Sequence, residues 1–393
     1  MDSVYAFGVA VTTYLQKTFG AHEDLFTIVN NVAHPHYAVT HWFPIMAVFD
    51  SVFAAEMLLV TTFGEWFNAF LKWIFMEHRP FWWIKETQYY GPLRLNKPQL
   101  RYTSQTCETG PGSPSGHVMG ATSLLALIVF WIISLRRNYN GGACEYWIQM
   151  LLWTITGFLT LLIAMSRVYV AAHFPHQCIL GMIIGLATTY VIVEYLLTPF
   201  LNLEDDYKKK HAELAAPAVG SNCSYMRVLR KRMAKHVLCI AACILLAFGL
   251  YWGMKAFGID PLWSVKLAFK WCPSPEFLHY NTTPLYSFVE STASMFGLAI
   301  CLTPSIKSYR YNTKSRSLII AGISSLLFQQ MFEQWETSLD RNSATYFFLM
   351  NFFQYALRPM FFLRIVPMLA TCRNKWKNLR AEETRNAADK KNE

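Results

Sequence analysis

Apolar residues occur in this chain in blocks too long for the interior of a soluble domain. Val118–Leu135 is an 18-residue run without a charge, Tyr146–Ser166 one of 21, Gln177–Val193 one of 17 and Val237–Met254 one of 18. A helix of about 18 to 20 apolar residues crosses a hydrocarbon core of about 30 Å. Two such runs fit as buried core helices; this many together predict a polytopic membrane protein. With the weaker blocks included, the pattern predicts nine spans, at roughly 26–48, 52–72, 118–135, 147–166, 177–198, 237–257, 286–304, 317–333 and 345–369. The first holds His34, His36 and His41 and the second Glu56 and Glu65. These groups are costly in lipid and are expected to face protein or a cavity. The expected fold class is an all-α integral membrane protein.

Composition strengthens this reading and changes how charge is understood. Of 393 residues, 53% are hydrophobic, 16% aromatic and 15% charged, against about 25% charged in an ordinary soluble domain. A net charge of +10 in a soluble chain would raise the question of nucleic acid. Here no basic stretch is interleaved with stacking aromatics, so no nucleic-acid partner is expected and the bilayer is the expected surrounding. The links after spans three, five, seven and nine hold 21 Lys and Arg, and the opposite side holds 10. The richer side is expected in the cytosol, which puts the N-terminus on the luminal or outer side and the C-terminus in the cytosol. The first two dozen residues, with Asp2 and a lone Lys17, lack the basic start and cleavage site of a signal peptide. The expected organisation is spans one to five in 1–200, a flexible cytosolic linker in 201–236, spans six to nine in 237–370 and a basic cytosolic tail in 371–393. Nine Cys form no CxxC pair and no zinc-type spacing with His.

Three polar clusters sit at ends of the apolar blocks. Lys72 to Arg79-Pro80 closes span two, Glu108 to Ser115-Gly116-His117 precedes span three, and Ser166-Arg167 with His173 leads into span five. All three fall on the same, non-cytosolic face in the charge-derived topology. Each has an ordinary reading taken alone: a basic residue at a helix end snorkels to the interface, a Gly-Pro-Gly-Ser-Pro run is a turn, and a single His is a satisfied polar group. Together they supply three cations, two imidazoles and a Gly/Ser turn opening a helix, which is the inventory of phosphoryl transfer. Arg and Lys hold phosphate oxygens, Arg as a fork, and the turn adds backbone N–H donors. One His is able to attack phosphorus while the other protonates the leaving oxygen. No Asp cluster for Mg²⁺ accompanies them, so no metal or other cofactor is expected.

These residues resemble a known family. Lys72-x6-Arg79-Pro80, Pro114-Ser115-Gly116-His117 and Ser166-Arg167-x5-His173 match the three-part signature of the type 2 phosphatidic acid phosphatase (PAP2) superfamily, which includes vanadium haloperoxidases. The stretches KWIFMEHRPFWW (72–83), CETGPGSPSGH (107–117), SRVYVAAHFPHQ (166–177) and TTPLYSF (282–288) are similar to the glucose-6-phosphatase family. The resemblance runs over roughly 1–370 and weakens in the linker and the last two spans. It implies a PAP2-type helical-bundle core within 1–200. It implies that His173 is the nucleophile that forms a phosphohistidine and that His117 is the proton donor. It also implies that Lys72, Arg79 and Arg167 bind phosphate, with Ser115 and Gly116 adding hydrogen bonds. The superfamily's Asp four residues after the nucleophile is Gln177 here, as in the glucose-6-phosphatase branch, which leaves open what orients His173. His34 stands where an acidic residue is expected. His176 does not fit the signature spacing, and Glu108 reads either as shaping the pocket mouth or as a solvated loop acid. Cys107 and Cys272, both on the luminal side, are able to pair in an oxidising compartment.

The implied activity is hydrolysis of glucose 6-phosphate at a luminal site in the endoplasmic reticulum, with a separate sugar-phosphate transporter as functional partner. The final Lys390-Lys391-Asn392-Glu393 resembles a dilysine retrieval signal. A lipid phosphate phosphatase of the same superfamily would use the same residues on another leaving group. A non-enzymatic channel, receptor or inactive homologue would show erosion of the five basic positions, all of which are intact.

Overall fold

The computed structural model of the chain describes residues 1–91, 97–140, 144–197, 221–301, 315–340 and 343–370. The elements are helical throughout these segments: α1 (Asp2–Thr18), α2 (Glu23–Val32), α3 (Pro35–Tyr37), α4 (Phe43–Phe49), α5 (Ser51–Phe75), α6 (Pro80–Glu86), α7 (Gly116–Asn140), α8 (Tyr146–Tyr169) and α9 (Pro175–Val191), then α10 (Ser221–Ala256), α11 (Trp263–Trp271), α12 (Pro284–Cys301), α13 (Ser315–Ser338) and α14 (Ala344–Met360). The basic tail and its Lys390-Lys391 pair lie outside the described residues, as do 201–220 of the linker.

Among the described residues, four helices are long and apolar enough to cross a membrane: Gly116–Arg137, Tyr146–Tyr169, Pro175–Leu196 and Met233–Ala256. They contain the four uncharged runs named above. Their outer faces are apolar, with Trp147, Phe158 and Leu161 of α8 and Leu238, Leu245 and Phe248 of α10 exposed. The helices α5, α12, α13 and α14 occupy the positions of four further expected spans, but they carry charged residues such as Glu65, Glu290, Glu336 and Arg358.

The structure corrects two boundaries. The expected span 26–48 is not one helix. It stops at Val32, passes through extended backbone at His34 and resumes in α3, followed by a π-helical stretch, Ala38–Trp42, and α4. Pro35 is the cause, because its ring drives the preceding residue out of the helical region. The linker read as flexible to residue 236 is helical from Ser221 onward, where Met226, Leu229, Arg230 and Lys231 are all good helix formers.

The packing of α7 against α9 positions the candidate site. Gly181 and Gly185, one turn apart on α9, face the backbone of the other helix. A Cβ at Gly181 would lie 2.8 Å from the Ser115 carbonyl, and one at Gly185 would lie 2.6 Å from the Met119 carbonyl. Small residues at this spacing let two apolar helices approach closely where no hydrophobic effect drives them together. Beside this pair, α5 ends with Met76 in the left-handed region (φ 47), and the link from α8 to α9 carries Ala171 at φ 56. These two strained turns aim Arg79 and His173 inward.

Candidate active site

The end of α5, the start of α7 and the α8–α9 link meet, bringing all seven candidate residues of the sequence signature into one buried cluster. Each is placed by local structure. Pro80 opens α6 directly after Arg79, and Pro175 opens α9 two residues after His173. Gly116 is the first residue of α7. Asn68 of α5 donates to the Pro114 carbonyl (3.2 Å), while the Ser115 amide donates to the Gln177 carbonyl (3.1 Å). A Cβ on Gly116 would sit 3.1 Å from the Asn68 side-chain oxygen and 3.7 Å from Lys72 Nζ, so the glycine keeps room beside that ammonium.

His173 is fully buried, and its ring is oriented by a backbone carbonyl. Nδ1 lies 2.8 Å from the Gly112 oxygen. A carbonyl accepts only, so Nδ1 carries the proton and Nε2 of the neutral ring keeps its lone pair. Burial, and then the neighbouring Arg79 cation, lower the His173 pKa to about 3. The question left by Gln177 in place of Asp is answered here. Gln177 does not touch the ring; its side chain donates to Glu77 Oε2 (2.9 Å) and to the His78 carbonyl (2.8 Å), and accepts from the Phe174 amide (3.1 Å). The Glu77 carbonyl in turn accepts from the Gly112 amide (2.8 Å). His176 pairs with Glu77 Oε2 (2.9 Å) and stacks on Phe174, apart from this ring.

The two arginines are used differently. Arg79 donates from Nε to the Gly110 carbonyl (2.6 Å), from Nη2 to Pro111 (3.0 Å) and from Nη1 to Ala172 (3.0 Å). The same Nη1 faces His173 Nε2 (3.1 Å) and Glu108 (2.7 Å). Most of its fork therefore ties the two site loops together. Arg167 donates from Nη1 to Asn30 of α2 (3.0 Å) and from Nη2 to Glu108, while its buried Nε makes no hydrogen bond. Asn30 also accepts from Ser166 (3.0 Å). Ser115 Oγ lies against the Cys178 thiol, and the buried Ser113 Oγ is without a hydrogen bond. Lys72, 6% exposed, forms no ion pair among the described residues.

Glu108 is the residue whose role the sequence left open. It is neither at a mouth nor solvated: it is 3% exposed and touches both arginines. Its carboxylate also lies 3.4 Å from His117 Nδ1 and 3.5 Å from His173 Nε2. Burial alone would raise its pKa, but Arg79 and Arg167 hold it well below the usual carboxylate range. Its loop is braced from far along the chain. Cys107 is bonded to Cys272, the His279 amide donates to the Cys107 carbonyl (3.0 Å), and Thr109 Oγ1 donates to the His279 carbonyl (2.7 Å).

The clustered residues are those of the sequence signature, and comparison with known proteins identifies the family. The PAP2 superfamily profile matches residues 53–200. The chain is 31% identical over 370 residues to glucose-6-phosphatase catalytic subunit 1 of Haplochromis nubilus, covering 93% of this chain and 96% of that one. The chain belongs to the glucose-6-phosphatase family. It is also 28% identical over 374 residues to glucose-6-phosphatase 2 of Mus musculus (93% and 96% coverage) and 31% identical over 317 residues to glucose-6-phosphatase catalytic subunit 1 of Canis lupus familiaris (80% and 79%). No solved structure matches. Sequence reading did not find Asn30, and it left Glu108 undecided. The only signal available for Glu108 was its place between a cysteine and the Gly/Ser turn.

Proposed function

We propose that this member of the glucose-6-phosphatase family hydrolyses glucose 6-phosphate to glucose and phosphate through a phosphohistidine. His173 Nε2 attacks phosphorus, forming the N–P bond as the P–O bond to the sugar breaks. His117 gives its proton to the departing sugar oxygen. In the second half, His117 takes a proton from water, whose oxygen attacks phosphorus and releases His173. Arg79 Nη1, Arg167, Lys72, Ser115 and the Gly116 amide meet the phosphate oxygens, where charge accumulates in the transition state. Glu108, 3.4 Å from His117 Nδ1, is placed to offset the positive charge the ring carries before it hands over its proton. The observation carrying the reading is the Gly112 carbonyl on His173 Nδ1, which leaves the Nε2 lone pair, facing Arg79 Nη1, as the nucleophile.

The finer picture is a nine-span protein of the endoplasmic reticulum membrane with its catalytic core in 1–200 and its site facing the lumen, supplied by a sugar-phosphate transporter. The charge asymmetry of the links supports the orientation, and a Cys107–Cys272 bond beside the site suits an oxidising compartment. The test is phosphate release by the purified full chain from glucose 6-phosphate and phosphatidate, with ³²P-labelled substrate used to trap phosphoenzyme. Preference for glucose 6-phosphate and an acid-labile label lost in His173→Ala are expected. Preference for phosphatidate would overturn the substrate assignment, and label retained in His173→Ala would overturn the nucleophile.

A further inference from the structure

A second polar cluster continues inward from His117, and the chemistry above does not use it. The ring of His34 stands 4.8 Å from that of His117 at 76°, and the ring of His36 is 6.0 Å beyond. His36 Nδ1 lies 2.9 Å from the Tyr355 hydroxyl and 3.6 Å from the Glu290 carboxylate, and its Nε2 lies 3.5 Å from Glu336. Glu65 of α5 approaches the same region from the other side, its carboxylate next to Gly120, almost one turn beyond His117 on α7. Five separate parts of the chain thus converge here: the α2–α3 break, α5, α12, α13 and α14.

A bland account makes this cluster glue between helices. Two observations go beyond it. The carboxylate–imidazole separations of 3.5 and 3.6 Å exceed the about 2.7–2.9 Å of a well-formed charged hydrogen bond, so hydrogen-bonding capacity is left over. The groups are also surrounded by protein yet not sealed: His36 and Glu290 keep 13% and 10% of their side-chain surface accessible, and His34 and Glu65 are half-buried. Accessible surface on enclosed groups means a gap of at least water size beside them. Carboxylates and imidazoles at this depth mark a ligand path.

The leaving group must lie against His117, which protonates it, and the polar groups next in line are these. Each sugar hydroxyl both donates and accepts, and a carboxylate can accept from two neighbouring hydroxyls at once. We propose that His36, Glu65, Glu290 and Tyr355 bind the hydroxyls of the sugar leaving group, and that the Glu290 carboxylate excludes leaving groups bearing a second negative charge. The cationic phosphate cradle and this acidic hydroxyl site would then divide the substrate between them. The inference rests on the hexose-phosphate reading given above.

The test uses the full-length protein in proteoliposomes with glucose 6-phosphate, a hexose bisphosphate and phenyl phosphate, whose leaving group has one oxygen only. In Glu290→Gln and Tyr355→Phe, the ratio of kcat/KM for glucose 6-phosphate to that for phenyl phosphate should fall about tenfold, as expected for one lost hydrogen bond to a charged or buried partner. In Glu290→Gln, the bisphosphate should gain relative to glucose 6-phosphate. Should Glu290→Gln fail to fold, Tyr355→Phe, which deletes a single oxygen, decides alone. An unchanged ratio, whether activity on both substrates is kept or lost in parallel, overturns the proposal. Failure of the underlying reading looks different: the unaltered protein would show no preference for glucose 6-phosphate over phenyl phosphate, and the subsite would fall with it.

Discussion

Glu108 shows how tightly charge is balanced in the site. With Glu108 removed, two buried guanidinium groups would face each other, a situation worth about 3–5 kcal/mol of lost stability. The pH dependence follows from two depressed groups. Glu108, held well below its ordinary 4.5, contributes stability that is fully present above 4.5 and lost as pH falls from there through its lowered folded value. His173, lowered from 6.5 to about 3, stays neutral in the fold while the unfolded chain takes up a proton, so stability also falls from pH 6.5 toward 3. Thermal unfolding in detergent should therefore show a decline beginning near pH 6.5 that is shallower in His173→Ala; an equal slope would remove His173 from the balance. The arginines give a second prediction. A Lys at 79 cannot hold the Gly110, Pro111 and Ala172 carbonyls together, and a Lys at 167 cannot reach Asn30 and Glu108 at once. Arg79→Lys and Arg167→Lys are each expected to lose at least about a hundredfold in rate, roughly 3 kcal/mol or more, measured as phosphate release at matched expression. Near-normal activity would reduce that residue to an interfacial anchor. The signature residues were legible because their spacing is a chemical pattern. Asn30 was not, because it meets Ser166 across 136 residues of chain and nothing local marks it.

Among the elements, the α7–α9 contact carries the most consequence for the site. Ser115 at the mouth of α7 is tied to Gln177 at the start of α9 (3.1 Å), so any change in helix separation moves the Gly/Ser turn of the candidate site. In Gly185→Leu the added side chain meets the Met119 carbonyl, where even a Cβ would be 2.6 Å away. Overpacking of this kind costs about 1–3 kcal/mol, and activity should fall further than the melting temperature suggests; an unaffected kcat would show that α9 yields without moving Ser115. Helices with uncharged runs were readable from hydrophobicity alone. The 26–48 segment was not, because its apolar residues continue across Pro35 while the backbone does not. The helices α12 to α14 read as ordinary spans because pattern does not reveal that their charged residues turn toward one another.

On the scale of the whole molecule, the orientation is open to a direct experiment. The loop after α6 is exposed at Gln88 and Tyr89, so Gln88→Asn with Tyr90→Ser places a glycosylation sequon on the same side as the site. Its modification in microsomes is expected, with Asn222 left bare; sugar on Asn222 would reverse the topology and the luminal site with it. The chain's two halves also depend on each other. The superfamily match ends at residue 200, yet the loop carrying Glu108 is held by Cys272, His279 and Thr282. That bond joins positions 165 residues apart, and translation runs in one direction. Every cation and both imidazoles of the site are synthesised well before the segment that fastens the Glu108 loop. A nascent chain that has passed His173 but not Cys272 therefore carries the full set of reactive groups without the clasp that arranges them. A product terminated before Cys272 is expected to be inert despite an intact signature.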